Sequence, residues 1–199
     1  MAGGDKTTKA ERELLARLDD AFAHQRELDP VVLASVRAWQ RTDRTYELVQ
    51  RMAREAPPSS AGGSAVSVAT VKQHLDLAIQ SGRLPFAVRV FRGLRDIEVS
   101  LGVSRPSQAQ GRRIRLPGFC ATTVVRLVAA DEFTARRGVL LDLIVPPGTP
   151  ALWVAGVGDR ALRRQGELLL GAETRIDVYS HVHLAEAATV LLGGVVPDE

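Results

Sequence analysis

Cysteine occurs once in the 199 residues, at Cys120. A single thiol excludes an internal disulfide framework and a cysteine metal cage within one chain. Its neighbours Phe119 and Ala121 mark it as a small buried residue. The four histidines, His24, His74, His181 and His183, do not cluster with acids at ligand spacing, so no metal is expected. No apolar run approaches the ~18 residues that span a bilayer. Met1 to Lys9 is polar and lacks an apolar stretch, so no signal peptide is expected there. Strong charge imbalance is also missing: the net charge is +3. That does not by itself argue for nucleic acid, but the distribution is uneven, with five arginines and no acid from Gly102 to Ala130. The chain is 45% apolar and 25% charged, the balance of a soluble globular protein. It is long enough for one domain with a substantial core.

The first half has helical periodicity. Ala10 to Gln25 carries Leu14, Leu15, Leu18 and Phe22 between charges, an amphipathic helix. Asp29-Pro30 supplies an N-cap and a proline at the first helical position. A second helix is expected from about Val31 to Glu55, with Val32, Val36, Trp39, Tyr46 and Met52 among its apolar positions and a break near Thr42-Asp43. Ala56 to Ala65 has the composition of a linker. A third helix is expected from Val68 to Gln80, closed by Ser81-Gly82. Residues 1–29 are read as a helical extension and 30–199 as a single compact domain.

After Pro85 the period changes from 3.6 to 2. Phe86, Val88, Val90 and Arg92 share one strand face; Ala87, Arg89 and Phe91 share the other. A basic loop follows from Ser100 to Pro117. Further strands are expected at Phe119 to Val125, Val139 to Val145, Ala151 to Ala155, Leu168 to Leu170, Thr174 to Tyr179 and Thr189 to Val196. A short helix is expected at Arg126 to Ala135, and a polar loop at Gly156 to Gly166. Helices first, then short strands without long helices between them, imply an α+β fold with mostly antiparallel sheets beside a helical layer.

Three patches carry chemistry. Glu167 stands where a polar loop enters the apolar run Leu168-Leu169-Leu170, half desolvated and fixed in position. If the backbone is extended at Gln165, its amide lies on the same face as Glu167. A strand that opens with two polar residues is the plainer alternative. Arg92 ends an apolar strand face, which costs desolvation unless an anion pairs with it. A structural salt bridge or an anionic ligand would each satisfy it, and Gly93 beside it lets a ligand approach the backbone. His181 and His183 would face one way on a strand, weak evidence for a metal.

The order of these patches resembles the mono-ADP-ribosyltransferase toxin and exoenzyme family. Leu84-Pro85-Phe86-Ala87-Val88-Arg89-Val90-Phe91-Arg92-Gly93 resembles the strand bearing its NAD-anchoring arginine. Gly118-Phe119-Cys120-Ala121-Thr122-Thr123 resembles its Ser-Thr-Ser strand. Gln165-Gly166-Glu167 resembles its Gln/Glu-x-Glu motif. Val139 to Thr149 is similar to the family's strand and turn, and Trp39 to Arg54 to the helical segment before its core, with Trp39 where an aromatic is common. The likeness spans roughly residues 30 to 180.

The resemblance implies an ADP-ribosyltransferase fold: a helical layer, then a split antiparallel β-sandwich with an NAD cleft. It implies a glycosyltransferase that moves ADP-ribose from NAD to a macromolecule and releases nicotinamide, with possible NAD glycohydrolase activity. NAD enters as a substrate. Arg92, Gly93, Phe119, Ala121, Thr122, Thr123 and Glu167 would bind it, with Arg136 or Arg137 as a second phosphate contact unless these only form a solvated turn. Glu167 would stabilise the positive charge on the ribose, with Gln165 and Arg92 as its catalytic companions. Gln165 points to an Asn, Gln or guanine acceptor rather than arginine. Leu162 stands where the Rho-modifying exoenzymes carry an aromatic, so a Rho-type acceptor is not supported. Arg160, Arg163 and Arg164 would meet an acidic protein surface or a phosphate backbone, or simply be solvated. Ala121 departs from the pattern, where a serine holds the glutamate; Thr123, two residues on, is the expected substitute. Otherwise the chain is a degenerate module of this fold that binds an acidic protein or nucleic acid. A monomer is expected, acting as a toxin or effector. Without a signal peptide it would be secreted by a specialised system, belong to a larger polypeptide, or stay in the cytoplasm.

Overall fold

The computed structural model describes residues 7–41, 45–54, 67–134, 138–183 and 189–197. Helix α1, Lys9–Ala21, begins with a reciprocal cap: Thr8 Oγ1 accepts from the Glu11 N–H and Glu11 accepts from the Thr8 N–H. A 3₁₀ turn, Ala23–Glu27, follows. The long second helix is two. Helix α2 is Pro30–Trp39, capped by the Asp29 carboxylate on the Val31 N–H, and α3 is Thr45–Arg54. The expected break at Thr42-Asp43 and the linker at Ala56 to Ala65 lie outside the described residues. Helix α4, Val68–Gln80, has the expected bounds, with Ser67 accepting from the Thr70 N–H.

The strands are β1 Val88–Leu94, β2 Arg113–Arg115, β3 Phe119–Thr123, β4 Val139–Val145, β5 Ala151–Trp153, β6 Glu167–Ala172, β7 Arg175–His183 and β8 Thr189–Val195. The order is β2-β7-β8-β4-β1-β3-β6-β5, all antiparallel except β4 with β8. The α+β class is as expected. Three local expectations are corrected. The basic loop holds the end of a helix, α5 Ile97–Leu101, a 3₁₀ turn at Pro106–Gln108, and β2, whose alternation is too short to read. The strand at Ala151 stops at Trp153, where a helical turn, Val154–Val157, begins. The polar loop before Glu167 is a 3₁₀ turn, Arg160–Gln165.

The sheet is split. β1 and β3 meet at a single pair, Phe91 with Thr123, whereas β1 and β4 pair along seven positions. Both parts contribute to one apolar cluster: Val88, Val90, Leu141 and Leu143 from the larger, Cys120, Trp153, Leu168 and Leu170 from the smaller, with Leu18 and Phe22 from the N-terminal helical segment. The smaller part is apolar on its other face too. Phe119, Leu152 and Leu169 pack there with Val36 and Trp39 of α2, Val49 of α3 and Leu75 of α4. Burial of both faces explains why Leu168-Leu169-Leu170 is an unbroken apolar run rather than an alternating one.

A buried amide ties these layers together. Gln25 donates to the carbonyls of Ala78 on α4 (3.2 Å) and Ala151 on β5 (3.0 Å). Its oxygen accepts from the Trp153 N–H at 3.0 Å. Gln25→Met keeps the volume but takes the donor from the Ala151 carbonyl and the acceptor from the Trp153 N–H, while the Ala78 carbonyl keeps the Ser81 hydroxyl, so we expect a loss of about 2–3 kcal/mol, the scale of orphaned buried polar groups. Urea unfolding should show the midpoint falling with the slope unchanged.

Candidate functional site

Glu167 is the first residue of β6 and pairs with Thr123 of β3. It follows Gly166, which is left-handed (φ 56°, ψ 41°). The chain therefore turns sharply between Gln165 and Glu167, and the extended backbone that would have put both on one face is not present. In β6, Glu167 shares the face of Leu169, which packs with the helical layer. Its carboxylate is accordingly met by the end of α2. Trp39 Nε1 donates to Glu167 Oε1 at 2.8 Å and Gln40 Nε2 donates to Oε2 at 3.0 Å. The group is half-buried. Burial pushes its carboxyl above the ordinary value, and the Trp39 and Gln40 hydrogen bonds oppose this without cancelling it.

The two threonines of β3 do not touch that carboxylate. Thr122 Oγ1 donates to the Leu168 carbonyl at 2.7 Å. Thr123 Oγ1 donates to the Gln165 carbonyl and accepts from the Val125 N–H. They fix the backbone on either side of Glu167, so Thr123 does not replace the serine hydroxyl missing at Ala121. Phe119 is fully buried, edge-on to Trp39 with ring centroids 5.7 Å apart.

Arg92 continues the buried face of Val88 and Val90, as expected. Among the described residues no ion pair involves it. Its Nη1 instead donates to the carbonyls of Phe119 (3.3 Å) and Ala121 (3.2 Å). Gly93 beside it is half-buried and pairs with Leu140. Cys120 is fully buried; burial raises its thiol pKa, with Arg92 pulling the other way. Leu162 and Gln165 are half-buried, and Arg160 and Arg164 are exposed. Arg163 makes an ion pair with Asp19, which also accepts from Trp153 Nε1. Arg136 and Arg137 lie outside the described residues. His181 contacts Gln110 and His183 contacts Thr189. No group of three metal-ligating side chains occurs among the described residues, and no described helix is long and apolar enough to cross a membrane.

The structure adds residues that the sequence, beyond the likeness of Trp39 to Arg54 to a helical segment, did not mark as site residues. Besides Trp39 and Gln40, helix α3 lines the site with Tyr46, Gln50 and Arg54. The Tyr46 ring lies 4.7 Å from that of Trp39. Gln50 is buried; its Nε2 donates to the Phe119 carbonyl at 2.9 Å, while Oε1 has no partner among the described residues. A β-carbon at Gly118 would collide with that Oε1 and come within 3.3 Å of Arg54 Cγ. Polar or aromatic residues at 46, 50 and 54 recur every four positions, one face of a helix. That spacing is the signal that could have found them. The ensemble can offer the Arg92 cation to an anion and hold a carboxylate against a developing positive charge.

No protein-family model matches the sequence, and no curated protein matches it by sequence. Among solved structures, the chain resembles Plx2a, an ADP-ribosyltransferase toxin from Paenibacillus larvae, at TM-score 0.72 and 17% identity over 94% of this chain and 97% of that one. It resembles the C3 exoenzyme of Clostridium limosum at TM-score 0.73 and 14% identity, covering 98% and 99%. It also resembles C3stau2 from S. aureus, solved with NAD, at 0.67 and 18%, covering 96% and 97%. The chain has the fold of these toxins.

Glu167 and Glu11 should titrate on opposite sides of the ordinary glutamate value. For Glu11, burial raises the pKa, but hydrogen bonds from the Thr8 and Arg126 N–H groups and the Thr8 hydroxyl outweigh it, so the net shift is down. A ¹³C carboxyl titration checks both. The consequences for stability are opposite. The native state keeps the Glu167 proton after the unfolded chain has lost its own, so this contribution falls as pH rises from the ordinary value through the raised one. The Glu11 contribution is present above the ordinary value and is lost as pH falls through the lowered one.

Proposed function

We propose that this chain is an NAD-dependent mono-ADP-ribosyltransferase of toxin or effector type. It would transfer ADP-ribose to a macromolecular acceptor and release nicotinamide. The observation that carries this reading is the arrangement around β3. A half-buried carboxylate, Glu167, is fixed at one end, and a cation without a carboxylate partner among the described residues, Arg92, lies on the carbonyls of Phe119 and Ala121. The resemblance to toxins of this fold, one of them solved with NAD, supports it.

The residues present fit a dinucleotide. The diphosphate needs a cation, and Arg92 is the primary candidate, with Arg54 beside Gly118 as a second. Gly93 carries no side chain to bar a close approach. As the bond between nicotinamide and ribose breaks, the electron pair leaves with nicotinamide and positive charge grows on the ribose. Glu167 stabilises that charge. The acceptor's nucleophilic atom then bonds to the ribose carbon and gives up its proton. Gln165, at the end of the 3₁₀ turn two residues before Glu167, is the candidate to meet the acceptor. An arginine acceptor stays cationic at neutral pH and needs a carboxylate to attract and deprotonate it. Gln165 does neither, whereas an amide pairs well with another amide or a guanine edge.

Labelled NAD supplied with cell lysate, followed by mass spectrometry of the labelled species, tests the reading; absence of nicotinamide release would sink it. Arg92→Ala should weaken NAD binding by about 2–4 kcal/mol, the scale of removing one side of a desolvated charged contact. Calorimetry measures this, and equal affinity would return Arg92 to a structural role on the β3 carbonyls.

The acceptor assignment has its own test. Free arginine and agmatine should be poor acceptors, with strong labelling mapped to an Asn, a Gln or a guanine. Gln165→Glu should abolish that labelling while leaving NAD hydrolysis largely intact. Ready modification of agmatine by the unmutated chain would refute the assignment.

A further inference from the structure

Gln40 is the C-cap residue of α2, its backbone N–H bonded to the Arg37 carbonyl at 3.2 Å. Its side-chain amide is used at both ends. Nε2 donates to Glu167 Oε2 at 3.0 Å, and Oε1 accepts from the Asp159 N–H at 2.7 Å. The second bond sets the first: with the amide oxygen turned to Asp159, the NH₂ must face the carboxylate. Asp159 in turn caps the turn that delivers Gln165, its carboxylate accepting from the Ala161 N–H at 2.9 Å. Space for the amide exists only because residue 158 is glycine; a β-carbon there would collide with Gln40 Oε1. On β3 no hydroxyl competes for this role. Ala121 has none, and those of Thr122 and Thr123 are bonded to backbone carbonyls.

We infer that Gln40 is a positioning residue. It fixes the Glu167 carboxylate, which no β3 hydroxyl reaches, and joins that carboxylate to the turn bearing Gln165. This rests on the transferase reading for its catalytic consequence, though not for the contact itself. An amide suits the task because it donates to the carboxylate without neutralising it, and so favours the ionised form. It also links the two halves of the site.

Two readouts test this on the full chain. The first, without NAD, is the ¹³C titration of the Glu167 carboxyl. The second is kcat and KM for nicotinamide release. In Gln40→Ala the titration midpoint should move to higher pH. The kcat should fall about tenfold, the scale of one charge-assisted hydrogen bond in the transition state, with KM for NAD within about twofold of the parent. Gln40→Met, which keeps the side-chain length but removes the amide donor, should reproduce both effects and guards against misfolding of the first variant. Adding Ala121→Ser to Gln40→Ala should restore kcat at least in part, because a hydroxyl returns to the same strand face. Unchanged midpoint and kcat in both single variants would overturn the assignment. So would a loss of kcat and NAD affinity together at an unchanged midpoint, the mark of general structural damage. If the parent releases no nicotinamide, the transferase reading fails, and the carboxyl titration alone decides whether Gln40 positions Glu167.

Discussion

A carboxylate at the mouth of a strand buried on both faces needs hydrogen-bond donors that its own strand does not provide. Glu167 opens β6, and the residues after it, Leu168 to Leu170, are sealed between the main core and the helical layer. Desolvation disfavours its charge. The indole of Trp39 and the amide of Gln40 answer that need, and both stand at the end of α2. Trp39 is also a core residue, 2% exposed and packed on Phe119. The same side chain thus seats the helical layer on the smaller part of the sheet and fixes the carboxylate. Placement of the helices and geometry of the site are one problem with one solution.

The split in the sheet has a similar consequence for Arg92. Strands pair because backbone carbonyls must find donors. β1 and β3 pair only at Phe91 and Thr123, so the carbonyls of Phe119 and Ala121 lie beyond the ladder. Arg92 and Gln50 supply the donors that a neighbouring strand would otherwise provide. Among the described residues the arginine is held by neutral dipoles rather than by a carboxylate, so no ion pair there cancels its charge. A salt bridge at the same place would have seated the side chain and cancelled that charge. The hydroxyls of Thr122 and Thr123 secure the Glu167 end of the strand pair by bonding the carbonyls of residues 168 and 165.

The turn before Glu167 is braced from outside the site. Arg163 pairs with Asp19 of α1, and Asp19 also accepts from Trp153. One of the three loop arginines is therefore partly structural, and Arg160 and Arg164 stay exposed. The brace orients the turn against the N-terminal helix while Asp159 and Gln40 orient it against Glu167. These two anchors bracket the segment that carries Gln165.

Much was legible in the chain itself, wherever the cause lies within a few residues. The Asp29-Pro30 start of α2, the bounds of α4 and β4, the alternation that places Arg92 on the face of Val88 and Val90, and the entry of Glu167 into a buried strand all follow from local periodicity and capping. β2 was missed because three residues carry too little alternation, and it exists by pairing with β7. The turn at Gly166 was missed because a left-handed glycine and an extended one look alike in a sequence. The partners of Glu167 and Arg92 were out of reach for another reason. Trp39 and Gln40 stand 128 and 127 residues from Glu167, and the Arg92 contacts are backbone carbonyls, which every residue possesses. By itself the sequence determined which residues carry charge into the core and in what order. Only the tertiary structure decided what meets them there, because a buried charge takes its partners from whatever the packed elements bring within hydrogen-bond distance.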